Sequence, residues 1–338
     1  MQSMQGLCLL ILLACMQWCT IQNVAAQQIT LLDSNQKISL RGLSVVNDEV
    51  FWVSGSKGSF AHSTNGGKRI DWGQVAGYAQ RDFRDIEAFD AQTAIIMAID
   101  SPAVILKTQD GGNSWRKVFE DNRAGMFLDA MHFKNKKSGV VVGDPIHGRF
   151  FLAKTNNGGE SWSATDQAAS PISDSGEALF AASGTNIVWK GQHIFFVSGG
   201  NSTHFIDGVS KHKLPMIQGK SSAGANSIDI SEDDKIIIVG GDFLTDSISH
   251  GNCVITDDKG KTFYLPKVSP YGYKSSILYM GNQKWLTCGT SGVDISVDDG
   301  ITWRNISRQS FHVIKKAKYG KKIYLAGKNG RIAEVLFH

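Results

Sequence analysis

The chain has 338 residues, 42% of them hydrophobic, 20% charged and 9% aromatic, a globular composition that excludes a disordered chain, a collagen and a coiled coil. A net charge of +4, from 35 basic and 31 acidic residues, is too mild for a dedicated nucleic-acid binder. With 36 Gly, 8 Trp and only 6 Pro, the composition suits many tight turns between packed strands.

Residues 1–26 contain no Lys, Arg, Asp or Glu. The apolar run from Gly6 to Met16 is too short for a bilayer, which takes ~20 residues. Val24-Ala25-Ala26 then offers a small-residue cleavage site ahead of Gln27, so 1–26 reads as a signal peptide that lacks the usual basic start. The mature chain, 27–338, is expected to be exported, periplasmic or secreted. Leu12-Leu13-Ala14-Cys15 also has the form of a lipoprotein box, and the alternative is a signal ending before Cys15 with a lipid on that residue. No later segment is long and apolar enough to span a membrane.

Cys8, Cys15 and Cys19 fall in the leader, while Cys253 and Cys288 lie in apolar strand-like runs and read as two buried thiols or one disulfide. Neither C-x-x-C nor H-E-x-x-H occurs, so no metal site or cofactor is expected.

One motif recurs down the chain: a hydroxyl residue, Asp or Asn two on, Gly four on, Ser or Thr six on, and an aromatic seven on. It reads Thr108, Asp110, Gly112, Ser114, Trp115, then Thr155, Asn157, Gly159, Ser161, Trp162. It returns as Thr256, Asp258, Gly260, Thr262, Phe263 and as Ser296, Asp298, Gly300, Thr302, Trp303. A degraded copy is Ser63, Asn65, Gly67, with Trp72 two residues late. The starts are 45, 47, 101 and 40 residues apart, and the long step holds two units with one unmarked. In such a turn Gly supplies positive φ and the Asp or Asn side chain bonds turn N–H groups, while the aromatic is expected to pack within its own unit. Residue types and spacing are those of the Asp-box, or bacterial neuraminidase (BNR) repeat, here a structural device with no catalytic role.

Apolar runs ending at Gly55, Gly143, Gly199, Gly240, Gly289 and Gly327 precede the boxes by about ten residues, with a longer insertion at Leu244–Gly251. The unit is thus four antiparallel strands of about 45 residues, a propeller blade. First strands are expected near Leu40, Arg84, Asp129, Glu177, Asn226, Ser275 and His312. The last unit, Phe311 to Phe337, has three strands, and Gln28–Leu32 can supply the fourth. The expectation is an all-β, seven-bladed propeller closed by its N-terminal strand.

Strand alternation puts the Asp-boxes on one face and the blade entries on the other. The entries carry Arg41, Arg81, Arg84, Asp85, Asp129, Glu177, Lys274 and His312, and the second-to-third-strand turns add Asp144, Arg149, Asp242 and Arg331. Charges crowded at the starts of tightly packed inner strands need water, partners or a ligand. They are the candidate binding face.

With the blades laid out, the chain resembles the photosystem II stability/assembly factor-like propellers of the sialidase-like superfamily. The resemblance is carried by Leu40-Arg41-Gly42-Leu43-Ser44, Phe83-Arg84-Asp85-Ile86, Phe127-Leu128-Asp129-Ala130, Gly143-Asp144-Pro145-Ile146-His147-Gly148-Arg149-Phe150, Gly176-Glu177-Ala178-Leu179, Gly240-Gly241-Asp242 and Gly327-Lys328-Asn329-Gly330-Arg331. It departs in the fourth blade, which lacks its box, and in the first, with Asn65 for Asp. The photosynthetic members are chaperones that bind newly made membrane subunits through an arginine-bearing face. The resemblance implies a non-enzymatic, monomeric scaffold for a protein partner at the cell envelope, with Arg41, Arg84, Arg149 and Arg331 on that face.

The alternative is a sialidase-like glycosidase, or a propeller that binds a glycan or a small anion. Such an enzyme needs an arginine clamp, a Tyr–Glu pair and an acid. Tyr271 or Tyr273 with Glu177 could form the pair, but Arg41-Gly42-Leu43 replaces the enzyme's Arg-Ile-Pro. An oxidoreductase has no support, since no G-x-G-x-x-G occurs and Gly260-Lys261-Thr262 belongs to an Asp-box.

Overall fold

The computed structural model describes residues 27–337. The leader, its cleavage point after Ala26 and Cys15 lie outside the described residues.

Seven β-sheets follow one another around a ring. Blade one is Leu40–Val45, Phe51–Gly55, Ser59–Ser63 and Asp71–Gln74; blade two is Phe83–Ala88, Ala94–Ala98, Ala103–Thr108 and Arg116–Asp121. Blade three is Leu128–Phe133, Gly139–Ile146, Arg149–Thr155 and Ser163–Ala164; blade four is Ile187–Lys190, His193–Val197, His204–Asp207 and Ser210–Lys213. Blade five is Ala223–Ile230, Ile236–Asp242 and Cys253–Thr256, its fourth strand reduced to an Ile255–Tyr264 bridge. Blade six is Ser276–Gly281, Lys284–Gly289, Gly292–Ser296 and Arg304–Ser307.

Blade seven takes Val313–Lys316, Ile323–Ala326 and Ile332–Phe337 from the end of the chain and Gln27–Asp33 from the beginning, with Gln28 opposite Leu336 and Leu31 opposite Ala333. The Trp72 Nε1–H donates to Asp33 at 2.8 Å and ties this strand to blade one. Joining the two ends of the chain completes the seventh blade and closes the ring, as expected.

The second and third strands, such as Ala94–Ala98 and Ala103–Thr108, are buried along their length between neighbouring blades. Fully apolar β-branched runs suit a strand covered on both faces. Cys253 and Cys288 are free, buried thiols in blades five and six, not a disulfide.

The Asp-boxes form as local bond sets. Thr108 Oγ1 accepts the Gly112 N–H at 3.0 Å and donates to Asp110, which accepts the Ser114 N–H at 2.9 Å. Thr256/Asp258/Gly260/Thr262 and Ser296/Asp298/Gly300/Thr302 repeat this geometry. Trp162 packs as expected, edge-on at 5.7 Å against Phe133 of its own blade, but two of the aromatics join a blade to the one before it. Trp115 meets Phe60 of blade one edge-on at 5.2 Å, and Phe263 meets Phe205 of blade four at 5.7 Å. The box glycine explains why: a Cβ on Gly112 would lie 2.5 Å from Phe60, and one on Gly260 2.3 Å from Phe205. Glycine lets the preceding blade's ring slide beneath the turn.

Blade four also departs from expectation. Its inner strand is Ile187–Lys190, about ten residues after the expected Glu177. Glu177–Ala178 instead pairs with Gly199–Gly200, which is stitched to Gly224 and extends the sheet of blade five.

Around the channel, inner strands are joined by side chains that accept from the next blade's backbone. Ser44 accepts the Ala88 N–H, Asp85 that of Met131, Ser227 that of Ile277 and Asp229 that of Tyr279, at 2.6–3.0 Å.

Candidate functional site

The expected entry-face charges divide into a cluster at the channel mouth and several groups consumed by the fold. Arg41 starts the inner strand of blade one, half-buried, and a single hydrogen bond, to the Ala182 carbonyl at 3.2 Å, holds its guanidinium. Burial lowers its pKa, and the neighbouring Arg84 charge lowers it further. Arg84 starts blade two and donates one hydrogen bond through Nε, to Asp82 at 2.9 Å, with 28% of its side chain exposed. Both outer nitrogens of Arg84, and Nη2 and Nε of Arg41, are thus left without protein acceptors among the described residues.

Asp129 lies beside them, fully buried, and neither carboxylate oxygen has a well-formed hydrogen bond. The Asp144 and Ala181 N–H groups face it without closing one. Burial raises its pKa well above the ordinary value, the Asp144 charge adds to this, and Arg84 opposes it. Asp144 accepts the Leu179 N–H at 2.8 Å, and burial lifts its carboxyl to about 6.

His312, on the entry to blade seven, completes the mouth. Its Nδ1–H donates to the Leu40 carbonyl at 2.9 Å, and burial together with the Arg41 charge pushes its pKa down to about 4.

The other expected residues lie elsewhere or are already paired. Arg149 donates to the Ser170 carbonyl at 2.6 Å, Arg331 to that of Ser310 at 2.9 Å, and Arg81 to those of Ile99, Asp100 and Pro102. Each of these arginines bonds loop carbonyls as Arg41 does, and what distinguishes Arg41 is the Arg84 charge beside it. Buried Asp242 caps Leu244 and binds Lys220. Burial pushes its pKa up, but hydrogen bonds from Ser222 and Leu244 win and hold it at about 2. Lys274 is fully buried against Asp294.

Two placements correct the expectation. Asp85 lies inside the channel and not on the face, its carboxylate taken by the Ile86 and Met131 N–H groups, with burial raising it to about 8. Glu177, on the strand that extends the sheet of blade five, is held by Ser198 and by His204 and Lys211 of blade four. Asp174, Glu177 and His204 stand close enough to share a metal ion, but the Lys211 ammonium already bridges the two carboxylates.

The Tyr–Glu pair of a sialidase is not assembled. The Tyr273 hydroxyl donates to Asn226 at 2.7 Å, and Tyr271 carries Arg308 over its ring at 3.6 Å. Neither touches Glu177.

Sequence reasoning overlooked Asp82 and Asn226, which position Arg84 and Tyr273. Asp82 was legible as the alternation Asp82-Phe83-Arg84, which puts both charges on one side of the strand. Asn226 becomes a neighbour of Tyr273 only through blade packing. The insertion after Asp242 adds exposed apolar side chains, Phe243, Leu244 and Ile248. Phe243 rests edge-on against Phe180 and Tyr273 beside the mouth.

A closed seven-bladed propeller with Asp-box turns places the chain in a class of ring-shaped, all-β proteins. Within it, the chain belongs to the family described as photosynthesis system II assembly factor YCF48, which matches residues 21–331. The structure is similar to one described as YCF48 bound to D1 peptide, with a TM-score of 0.64 and 13% identity, over 93% of this chain and 100% of that one. It is similar also to YCF48 from Cyanidioschyzon merolae, with a TM-score of 0.63 and 16% identity, over 93% of this chain and 99% of that one. At these identities the likeness speaks for the fold. No curated protein matches the chain in sequence.

Proposed function

We propose that this protein is a non-enzymatic scaffold that grips an acidic segment of a protein partner at the channel mouth, and that it works at the cell envelope after export. The observation that carries the reading is the Arg41–Arg84 pair, two adjacent like charges with one protein hydrogen bond each. A carboxylate between them would satisfy both forks and relieve their repulsion. Phe243, Leu244 and Ile248 would offer apolar contact to the residues flanking that carboxylate. The fold relative described as bound to a D1 peptide supports a peptide as the kind of ligand. Export rests on the charge-free, apolar leader.

The test is cross-linking of the tagged protein in its own cell envelope, with Arg41→Glu/Arg84→Glu as control. Charge-assisted bonds contribute about 1.5–3 kcal/mol each, so the double reversal should abolish capture of the partner. Loss of the Arg41 bond to Ala182 and of the part-exposed Arg84–Asp82 ion pair should lower the melting temperature by only a few degrees. Equal capture by the variant would exclude this mouth as the site. Recovery of the tagged chain from the cytoplasm alone would exclude the location.

A further inference from the structure

The opposite, Asp-box end of the channel holds a cavity of about 420 Å³, lined by the ends of the inner strands. Its walls are polar and apolar in nearly equal parts, with Val45, Ile86, Met131, Ile187, Ile228 and Leu278 in the apolar part. Cavities of this size suit small organic molecules.

Its charged lining is uneven. Lys318 binds Glu87 and the Ala88 carbonyl, Lys316 the Met280 carbonyl, and Lys134 the Gly191 carbonyl. Asp85 and Asp229 spend their oxygens on backbone N–H groups of the blades beside them. Of the two lining lysines without such a partner, Lys136 is exposed to solvent and Lys315 is not. It is half-buried on the inner strand of blade seven and has no hydrogen bond or ion pair among the described residues. It lines the cavity together with Asp85 of blade two, His132 of blade three and Asp229 of blade five, and its charge acts on all three.

We propose that this end of the channel is a second ligand site, which takes a small organic monocarboxylate with its head on Lys315 and its apolar body against the inner-strand side chains. Lys315 is the unspent lining ammonium that is not exposed to solvent, and one such cation suits a single negative charge better than a phosphate dianion, which needs several donors. The apolar part of the wall gives a short hydrocarbon body a surface to bury. The site is independent of the paired arginines, which lie at the other end of the channel.

Isothermal titration of the purified residue 27–338 chain with octanoate, octan-1-ol and inorganic phosphate tests it. The expected result is saturable one-to-one binding of octanoate and at least tenfold weaker binding of the other two. Lys315→Met, nearly isosteric, should weaken octanoate binding at least tenfold, as loss of a charge-assisted hydrogen bond implies. Lys315→Arg should retain binding, and Arg41→Glu/Arg84→Glu should leave it unchanged. Thermal melts of each variant separate lost binding from lost fold. Three results would overturn the proposal: no octanoate binding at millimolar concentration, octan-1-ol binding as tightly as octanoate, or unchanged binding in a folded Lys315→Met variant.

Discussion

His312 bonds the last blade to the first at the channel mouth, and its titration should be readable in the stability of the ring. The imidazole is buried, donates to the Leu40 carbonyl, and is held at about 4, below the ordinary 6.5, by burial and the Arg41 charge. A histidine held down in this way contributes stability that is fully present above pH 6.5. The contribution is lost as pH falls towards 4, because the unfolded chain binds the proton first. At 1.36 kcal/mol per pH unit, the loss is about 2 kcal/mol by pH 5 and about 3 kcal/mol by pH 4. His312→Gln keeps a donor for Leu40 but cannot titrate. Urea unfolding of both proteins from pH 7.5 to pH 4 cancels every other titrating group in the difference. The variant should be the less stable at pH 7.5, and its deficit should shrink by about 2 kcal/mol at pH 5. Parallel profiles would show that the ring does not repel the imidazolium, and the description of the mouth would fail with them.

Gly260→Ala should destabilise by about 3 kcal/mol: a left-handed residue costs about 1–2 kcal/mol, and displacing the Phe205 ring, 2.3 Å from the new Cβ, adds about as much again. Gly208→Ala, at a similar positive φ but in open space, should cost only about 1 kcal/mol, and equal urea midpoints would refute the blade-joining role of the box glycine. Lys274→Met strands the buried Asp294 carboxylate and should cost about 3–5 kcal/mol, read as a lower urea midpoint; a shift under about 1 kcal/mol would mean that Asn305 and the Tyr271 N–H suffice for Asp294.

Much of the architecture was legible because an Asp-box is a closed local bond set. Its hydroxyl, carboxylate and glycine satisfy one another within seven residues, so spacing alone marks each turn and therefore each blade. Blade four escaped this reading for the same reason. It has no box, and its inner strand Ile187–Lys190 is set by a short hairpin at Gly191-Gln192 rather than by the Glu177 segment.

At the candidate site, strand position predicted which residues would enter the channel mouth, and Arg41, Arg84, Asp129 and His312 do gather there. It could not predict which charges would remain unspent. Arg149, Arg331 and Arg41 each bond one backbone carbonyl, and what sets Arg41 apart is the Arg84 charge that packing brings beside it. Asp85 and Arg84 are adjacent, but the β-bulge between Phe83 and Asp85 and the reach of the Met131 N–H turn the carboxylate into the channel.

By itself the sequence determined the repeat, the strand order and the closure of the ring, since these depend on turn chemistry and apolar patterning within each unit. Only the tertiary structure decided which side chains act. The charge left over at Arg41, Arg84 and Lys315 is what remains after acceptors far away in the chain have been counted, and those acceptors meet only when seven blades are packed into one ring.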